Sequence, residues 1–338
     1  MTIYISGGSN SLIKDGWVAK FRERLPEEQE VENISIGAAP SHMGTFRCLH
    51  TIDLKPGDVV LWEYGVNDAN HIDARGYTNR ELRKALEWTI RHCHDRQVKF
   101  GAIIFQPRDR EMQQQMTPYR KMLHRICDRY GVDYFDVPLA FLEQHPNKKR
   151  IPPRYFRDNA HYHTLDDLMD LIADGAVKVL ENARVPGEAL ENDTGELRIY
   201  SSFEGGEFEE FSSKAITLQT WRPGPDGLTT TFEGDGRIVG LVITSTPMGG
   251  VFDLRVGDQQ MRLCATYQER EFNKTLVKYV SIPMLLGEDI VFEAGMPITI
   301  SWADTAEDMY SDYRFRNKVG EAAIAARQAG VVAVLTEE

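Results

Sequence analysis

The feature that most constrains the fold is an alternation in the first half of the chain. Short apolar runs bounded by turn residues fall at 2–6, 32–36, 58–63, 99–105 and 133–137. Between and after them, helical periodicity appears near 16–24, 78–96, 117–130 and 165–181. Strands that alternate with helices predict βαβ units and a mostly parallel sheet covered by helices. Right-handed crossovers then bring the carboxyl ends of all the strands to one rim, which is where ligands bind in open α/β sheets.

The second half reads differently. After a polar stretch with Pro and Gly at 184–195, short runs recur at 215–221, 229–232, 238–244, 251–256, 262–267, 277–282, 290–292 and 298–302, with turn signals between them. Such spacing predicts a mostly antiparallel β-sandwich or jelly roll. An Ala-rich helical segment at 319–329 follows, and 331–335 is expected to add an edge strand. The expected organisation is a catalytic domain at 1–184, a linker at 185–195 and an accessory domain with a C-terminal helix at 196–338. A chain of 338 residues fits two domains.

Composition limits the partners. Hydrophobic residues make up 42% and charged residues 27%, as expected for a globular protein with a sizeable core. A formal net charge of −12 argues against nucleic acid and against an anionic membrane surface. No run is long enough for a membrane span, and the N-terminus lacks a charged segment followed by an apolar one. Cys48, Cys93, Cys127 and Cys264 show no metal-type spacing and are expected to be core thiols. A cytoplasmic location is therefore expected. Oligomeric state is not legible.

The strand ends carry chemistry. Ile3-Tyr4-Ile5-Ser6 runs into Gly7-Gly8-Ser9-Asn10-Ser11, a strand, a tight turn and the approach to a helix. The second strand ends at Ile36-Gly37-Ala38, leaving a backbone N–H at the rim. The third runs into Gly65-Val66-Asn67-Asp68, which puts an amide there. Before the last helix stands Asp158-Asn159-Ala160-His161-Tyr162-His163. A serine needs a base to take its proton, and an imidazole titrates near neutrality, so Ser9 is the candidate nucleophile and His161 its base. Asp158 is placed to fix the imidazole tautomer. The N–H groups of Ser9 and Gly37 and the Asn67 amide can surround an oxyanion, each donor worth ~3 kcal/mol of transition-state stabilisation.

These four blocks, Ser9, Gly37, Asn67 and His161 in that order, resemble the SGNH hydrolases, the GDSL-type esterase and lipase superfamily. The resemblance covers roughly residues 1–181. It implies a flavodoxin-like three-layer parallel sheet, a Ser-His-Asp triad, and no metal or cofactor. One departure is plain: the family's Gly-Asp-Ser is Gly7-Gly8-Ser9 here.

Other readings stay open. Ser6 and Ser11 are rival serines. His163 with His161 and Asp158 has zinc-type spacing. Asn10, Gln106, Arg108 and His163 are candidate pocket residues, with a solvated loop an equal reading for Gln106 and Arg108. Trp221, Trp302, Tyr267 and Tyr279 offer a sugar platform or ordinary core. The expected function is removal of an acyl group, acetyl in the first instance, from a carbohydrate or similar polar ester. The alternative is an O-acyltransferase in polysaccharide biosynthesis that uses the same triad.

Overall fold

The computed structural model describes residues 1–114, 116–188, 194–267, 274–312 and 318–338. The chain divides into two compact units, Met1–Thr194 and Gly195–Glu338.

Unit 1 is built on five strands: β1 (Thr2–Gly7), β2 (Glu30–Asn33), β3 (Val59–Glu63), β4 (Lys99–Ile104) and β5 (Asp133–Asp136). They pair in parallel in the order β2-β1-β3-β4-β5. That order reverses direction at β1, so a crevice opens at the carboxyl ends of β1 and β3. The expected second strand, at 32–36, is shifted toward the N-terminus. Charged Glu30 and Glu32 occupy the sheet edge, while Ile34 and Ile36 still donate backbone hydrogen bonds to Ile5 and Gly7.

The helices are α1 (Trp17–Arg22), α2 (Ser41–Phe46), α3 (Gly65–Arg75), α4 (Asn79–Asp95), α5 (Arg108–Met112), α6 (Pro118–Tyr130), α7 (Val137–Gln144) and α8 (Asp166–Asn182). Helices α1 and α8 cover the face that carries Ile3, Ile5, Val59 and Leu61, where Trp17, Phe21, Leu168, Ile172 and Val179 complete one apolar cluster. Lys20 and Arg24 clip the same pair through Asp166, Asp170 and Asp174. Helices α2 and α4 pack through buried Thr45 and Thr89, whose hydroxyls lie 3.0 Å apart. Periodicity anticipates α1, α4, α6 and α8. It misses α3, whose Asn67, Asp68, Asn70 and His71 are weak helix formers. A capping box at Thr78 and Glu81 starts α4.

Unit 2 is a two-sheet β structure. Its strands are β6 (Leu197–Tyr200), β7 (Gly206–Ser212), β8 (Thr217–Pro223), β9 (Leu228–Thr231), β10 (Gly236–Ser245), β11 (Val251–Val256) and β12 (Gln259–Cys264). They continue with β13 (Leu276–Ser281), β14 (Val291–Phe292), β15 (Pro297–Trp302), β16 (Met309–Tyr310) and β17 (Gly330–Glu337). One sheet runs β13-β10-β17-β8-β7, with β14 on β10 and β6 on β17; the other runs β16-β12-β11-β15-β9. All pairings but β12 with β16 are antiparallel. Leu241, Ile243, Val331 and Val334 of the first sheet share a core with Leu254, Leu263, Ile298 and Ile300 of the second.

The expectation of an edge strand at 331–335 is overturned. Strand β17 lies between β10 and β8, and all eight of its residues are buried. A continuous run of Val and Leu is what burial on both faces requires. Of the four aromatic platform candidates, Tyr267 and Tyr279 are core residues, 1% and 2% exposed. Trp302 stacks on Phe252, and Trp221 is half-buried beside Phe203 and Phe208. All four cysteines are buried.

Residues 189–193 of the expected linker lie outside the described residues. On their near side the chain is tied down: Phe100 donates to the Arg184 carbonyl at 3.1 Å, and Gly187 donates to Tyr130 at 2.7 Å. We propose the domain boundary just beyond these bonds. Limited proteolysis is expected to cut between Glu188 and Gly195 and release two resistant fragments. First cuts inside either unit would contradict that boundary.

Candidate active site

Three strand ends meet at the rim beside β1. Ser9 opens a single 3₁₀ turn, Ser9–Leu12, immediately after β1 and Gly8. Of the three nearby serines it alone is not buried. Ser6 is 0% exposed, and Ser11, 1% exposed, spends its hydroxyl on Glu63 Oε2 at 2.7 Å. Gly37 follows the β2 ladder directly. A Cβ there would sit 3.7 Å from Ser9 Cβ, so its backbone faces the serine. Among the described residues neither the Ser9 nor the Gly37 N–H has a hydrogen-bond acceptor in the protein. Ala38 next to it is left-handed, φ 58°, a conformation that costs a non-glycine residue about 1 kcal/mol.

Asn67 lies in the first turn of α3 and is 5% exposed. Its Nδ2 donates to the Ala39 carbonyl at 2.8 Å, which fixes the amide's orientation and leaves its second proton for another acceptor. The departure at Gly8 explains how close the amide comes. A Cβ at Gly8 would lie 2.1 Å from Asn67 Oδ1, so an aspartate here would force Asn67 away. Next in the chain, Asp68 accepts the Ser41 N–H at 2.8 Å and the Tyr119 hydroxyl at 2.5 Å. It thereby ties the start of α2, and the Gly37–Pro40 loop before it, to α3.

Asp158 and His161 stand together. Both Asp158 oxygens face His161 Nδ1, at 2.9 and 2.8 Å, and Oδ1 also accepts the N–H groups of Ala160 and His161. Burial pushes the Asp158 carboxyl up, but the His161 ring and those two N–H groups outweigh it and hold it below its ordinary value. A carboxylate only accepts, so in the neutral ring Nδ1 carries the proton and Nε2 keeps its lone pair. That is the tautomer a general base needs. Among the described residues no direct hydrogen bond joins Ser9 to His161. Such bonds are often long in a free enzyme and tighten with substrate.

The loop around His161 is anchored on several sides. Asn10 holds its backbone through Ala160 and Tyr162, at 2.9 and 3.0 Å. The Tyr162 hydroxyl donates to the Gln106 carbonyl at 2.9 Å, and Asn159 receives the N–H groups of Arg108 and Asp109 at the start of α5. The pocket candidates sort accordingly. Asn10 and Gln106 are buried, 3% and 2% exposed. The Gln106 amide is spent on Glu111 and Arg120, so it belongs to a buried network with Asp136 and not to a pocket wall. Arg108 and His163 are exposed. Among the described residues no group of three or more His, Cys, Asp or Glu side chains is arranged to hold a metal ion.

Two buried acids under the serine turn escaped the sequence reading. Burial pushes the Glu63 carboxyl up to about 8 and the Asp68 carboxyl up to about 7, each only partly offset by its hydrogen bonds. Glu63 Oε1 is buried without a partner among the described residues, an arrangement that favours the neutral acid. Both pKa values are raised on folding. Their contribution to stability is therefore complete below the ordinary carboxylate range and is lost as pH rises through the folded values. Denaturation of the wild type is expected to show stability falling between about pH 5 and pH 8.5, and Glu63→Gln, which cannot ionise, to flatten the upper part of that fall. Parallel curves for the two proteins over this range would contradict the assignment.

The sequence pattern of the GDSL-like lipase/acylhydrolase family matches residues 6–164. No curated protein matches the chain. Among solved structures, a two-domain esterase active on acetylated mannans is similar over 100% of this chain and 91% of its own, at 15% identity and a TM-score of 0.62. The same description applies to a form of it co-crystallised with mannopentaose, with 13% identity and a TM-score of 0.64. Both likenesses extend across unit 2 as well as unit 1, and they concern the fold. Among the described residues no helix is long and apolar enough to cross a membrane. With the four blocks gathered at one sheet edge and the family pattern spanning them, unit 1 carries a hydrolase domain of the GDSL-type, or SGNH, superfamily.

Proposed function

We propose that the protein is a serine esterase that removes an acetyl group from a glycan or a similarly polar ester through an acyl-enzyme. The observation that carries this reading is the Asp158–His161 pair: the carboxylate fixes the proton on Nδ1, and the loop that bears the pair is bonded to the residue next to Ser9. In the first half-reaction Ser9 Oγ attacks the acyl carbon as its proton passes to His161 Nε2. The oxyanion meets the N–H groups of Ser9 and Gly37 and the free Asn67 amide proton. The intermediate collapses when the imidazolium gives its proton to the leaving alkoxide. Water, deprotonated by the same Nε2, then releases acetate and frees Ser9.

The glycan part of the reading draws on fold similarity to an esterase whose substrates are acetylated mannans, with a second domain in both proteins. Acetylated mannan is thus the first polysaccharide to try. Water and a sugar hydroxyl compete for one acyl-enzyme, so the acceptor decides between hydrolysis and transfer.

The test gives the purified protein an activated acetyl ester with and without mannan oligosaccharides and follows free acetate and acetylated sugar. Acetate release indifferent to the sugar is expected, with Ser9→Ala slower by ~10⁴-fold or more. Acetylated sugar with negligible acetate would instead make the protein a transferase. Undiminished turnover in Ser9→Ala would remove the serine mechanism altogether.

A further inference from the structure

Asn10 follows Ser9 directly, and its side chain is turned into the protein. It is 3% exposed and both ends of its amide are used. Nδ2 donates to the Ala160 carbonyl at 2.9 Å, and Oδ1 accepts the Tyr162 N–H at 3.0 Å. A donor matched to residue 160 and an acceptor matched to residue 162 reproduce the bonding of one residue in a parallel ladder, centred on His161. The two peptide groups that flank His161 are thereby pinned, and with them the direction of its Cα–Cβ bond.

The opposite edge of the loop is fixed independently. Arg157 donates its N–H to the His161 carbonyl at 2.9 Å, Phe156 and Tyr162 form an antiparallel bridge, and the Tyr162 hydroxyl reaches Gln106. These bonds shape the loop, but none of them refers it to the serine. Ser9 and the base come from opposite ends of unit 1, and Asn10 is the one residue adjacent to Ser9 whose side chain bonds the His161 segment. We propose that Asn10 is a positioning residue: a side-chain amide acting as a strand that sets the register of His161 against Ser9. The inference rests on the serine-esterase reading above.

Its test compares Asn10→Ala, Asn10→Asp, Tyr162→Phe and Ser9→Ala on an activated acetyl ester, with fluorophosphonate labelling and thermal unfolding of each. Asn10→Asp keeps the size and the acceptor but loses the donor to Ala160, so it separates hydrogen bonding from packing. Tyr162→Phe cuts an anchor of the same loop on the Gln106 side. Misplacing a reacting group by about 1 Å costs ~100-fold. The expected result is therefore a ~100-fold loss of kcat in both Asn10 variants with KM within about threefold of wild type, and less than about fivefold loss in Tyr162→Phe. Labelling of the Asn10 variants should go to completion but slowly, which marks a folded protein with its serine intact and its base misaligned. A kcat within threefold of wild type in Asn10→Asp, a loss no larger than that of Tyr162→Phe, or Asn10 variants that no longer fold would each overturn the positioning role. Ser9→Ala separates the two levels: if it labels and turns over like wild type, the esterase reading fails, whereas a dead Ser9→Ala beside active Asn10 variants removes only the inference about Asn10.

Discussion

The absence of a side chain at Gly8 sets the geometry of the site on the Asn67 side. The Asn67 amide fills the space where a Cβ would stand, with Oδ1 at 2.1 Å from that point. Once Asn67 is drawn in, its Nδ2 takes the Ala39 carbonyl and the loop after β2 must come with it. Asp68, one residue on, secures the far end of that loop at Ser41. A contact between the turn after β1 and α3 thus fixes the second strand's loop as well, and three segments distant in sequence become one surface around Ser9. Within that loop Ala38 is left-handed, a conformation that a non-glycine residue holds only at a cost.

The electrostatics divide by depth. Beneath the turn, Glu63 and Asp68 sit where burial disfavours charge, and both are pushed up. At the rim, Asp158 has three donors and stays below its ordinary value. The acids therefore take different roles. Deep ones sit where burial favours the neutral acid, and they brace the serine turn and α2. The rim carboxylate remains charged and can stabilise an imidazolium. Glu63 receives the Ser11 hydroxyl through its side chain and the Gly8 N–H through its carbonyl, so it braces the turn from both its side chain and its backbone.

Sequence patterning made the first unit legible because the central strands of a parallel sheet are buried on both faces and read as short uninterrupted apolar runs. It also made the four blocks legible, since each lies at a strand end or before the last helix. Boundaries fared less well where charge met the sheet edge, as at Glu30 and Glu32, and where a helix was built from poor helix formers, as at 65–75. A terminal segment such as β17 reads as peripheral, yet its run from Val331 to Leu335 has the signature of a central strand. Gln106 and Asn10 could not be told from pocket residues by sequence, because only tertiary contacts reveal that their amides are already bonded. The buried acids were invisible for the same reason: Glu63 at the end of an apolar run looks like any strand terminus until burial is known.

The central claim is that Ser9 carries the acyl group during turnover. Mass spectrometry of the protein quenched during steady-state hydrolysis of an activated acetyl ester tests it most directly. An acetyl adduct is expected on the peptide that holds Ser9, formed in wild type and absent from Ser9→Ala. Steady turnover with no adduct there, or an adduct on a different residue that persists in Ser9→Ala, would contradict it.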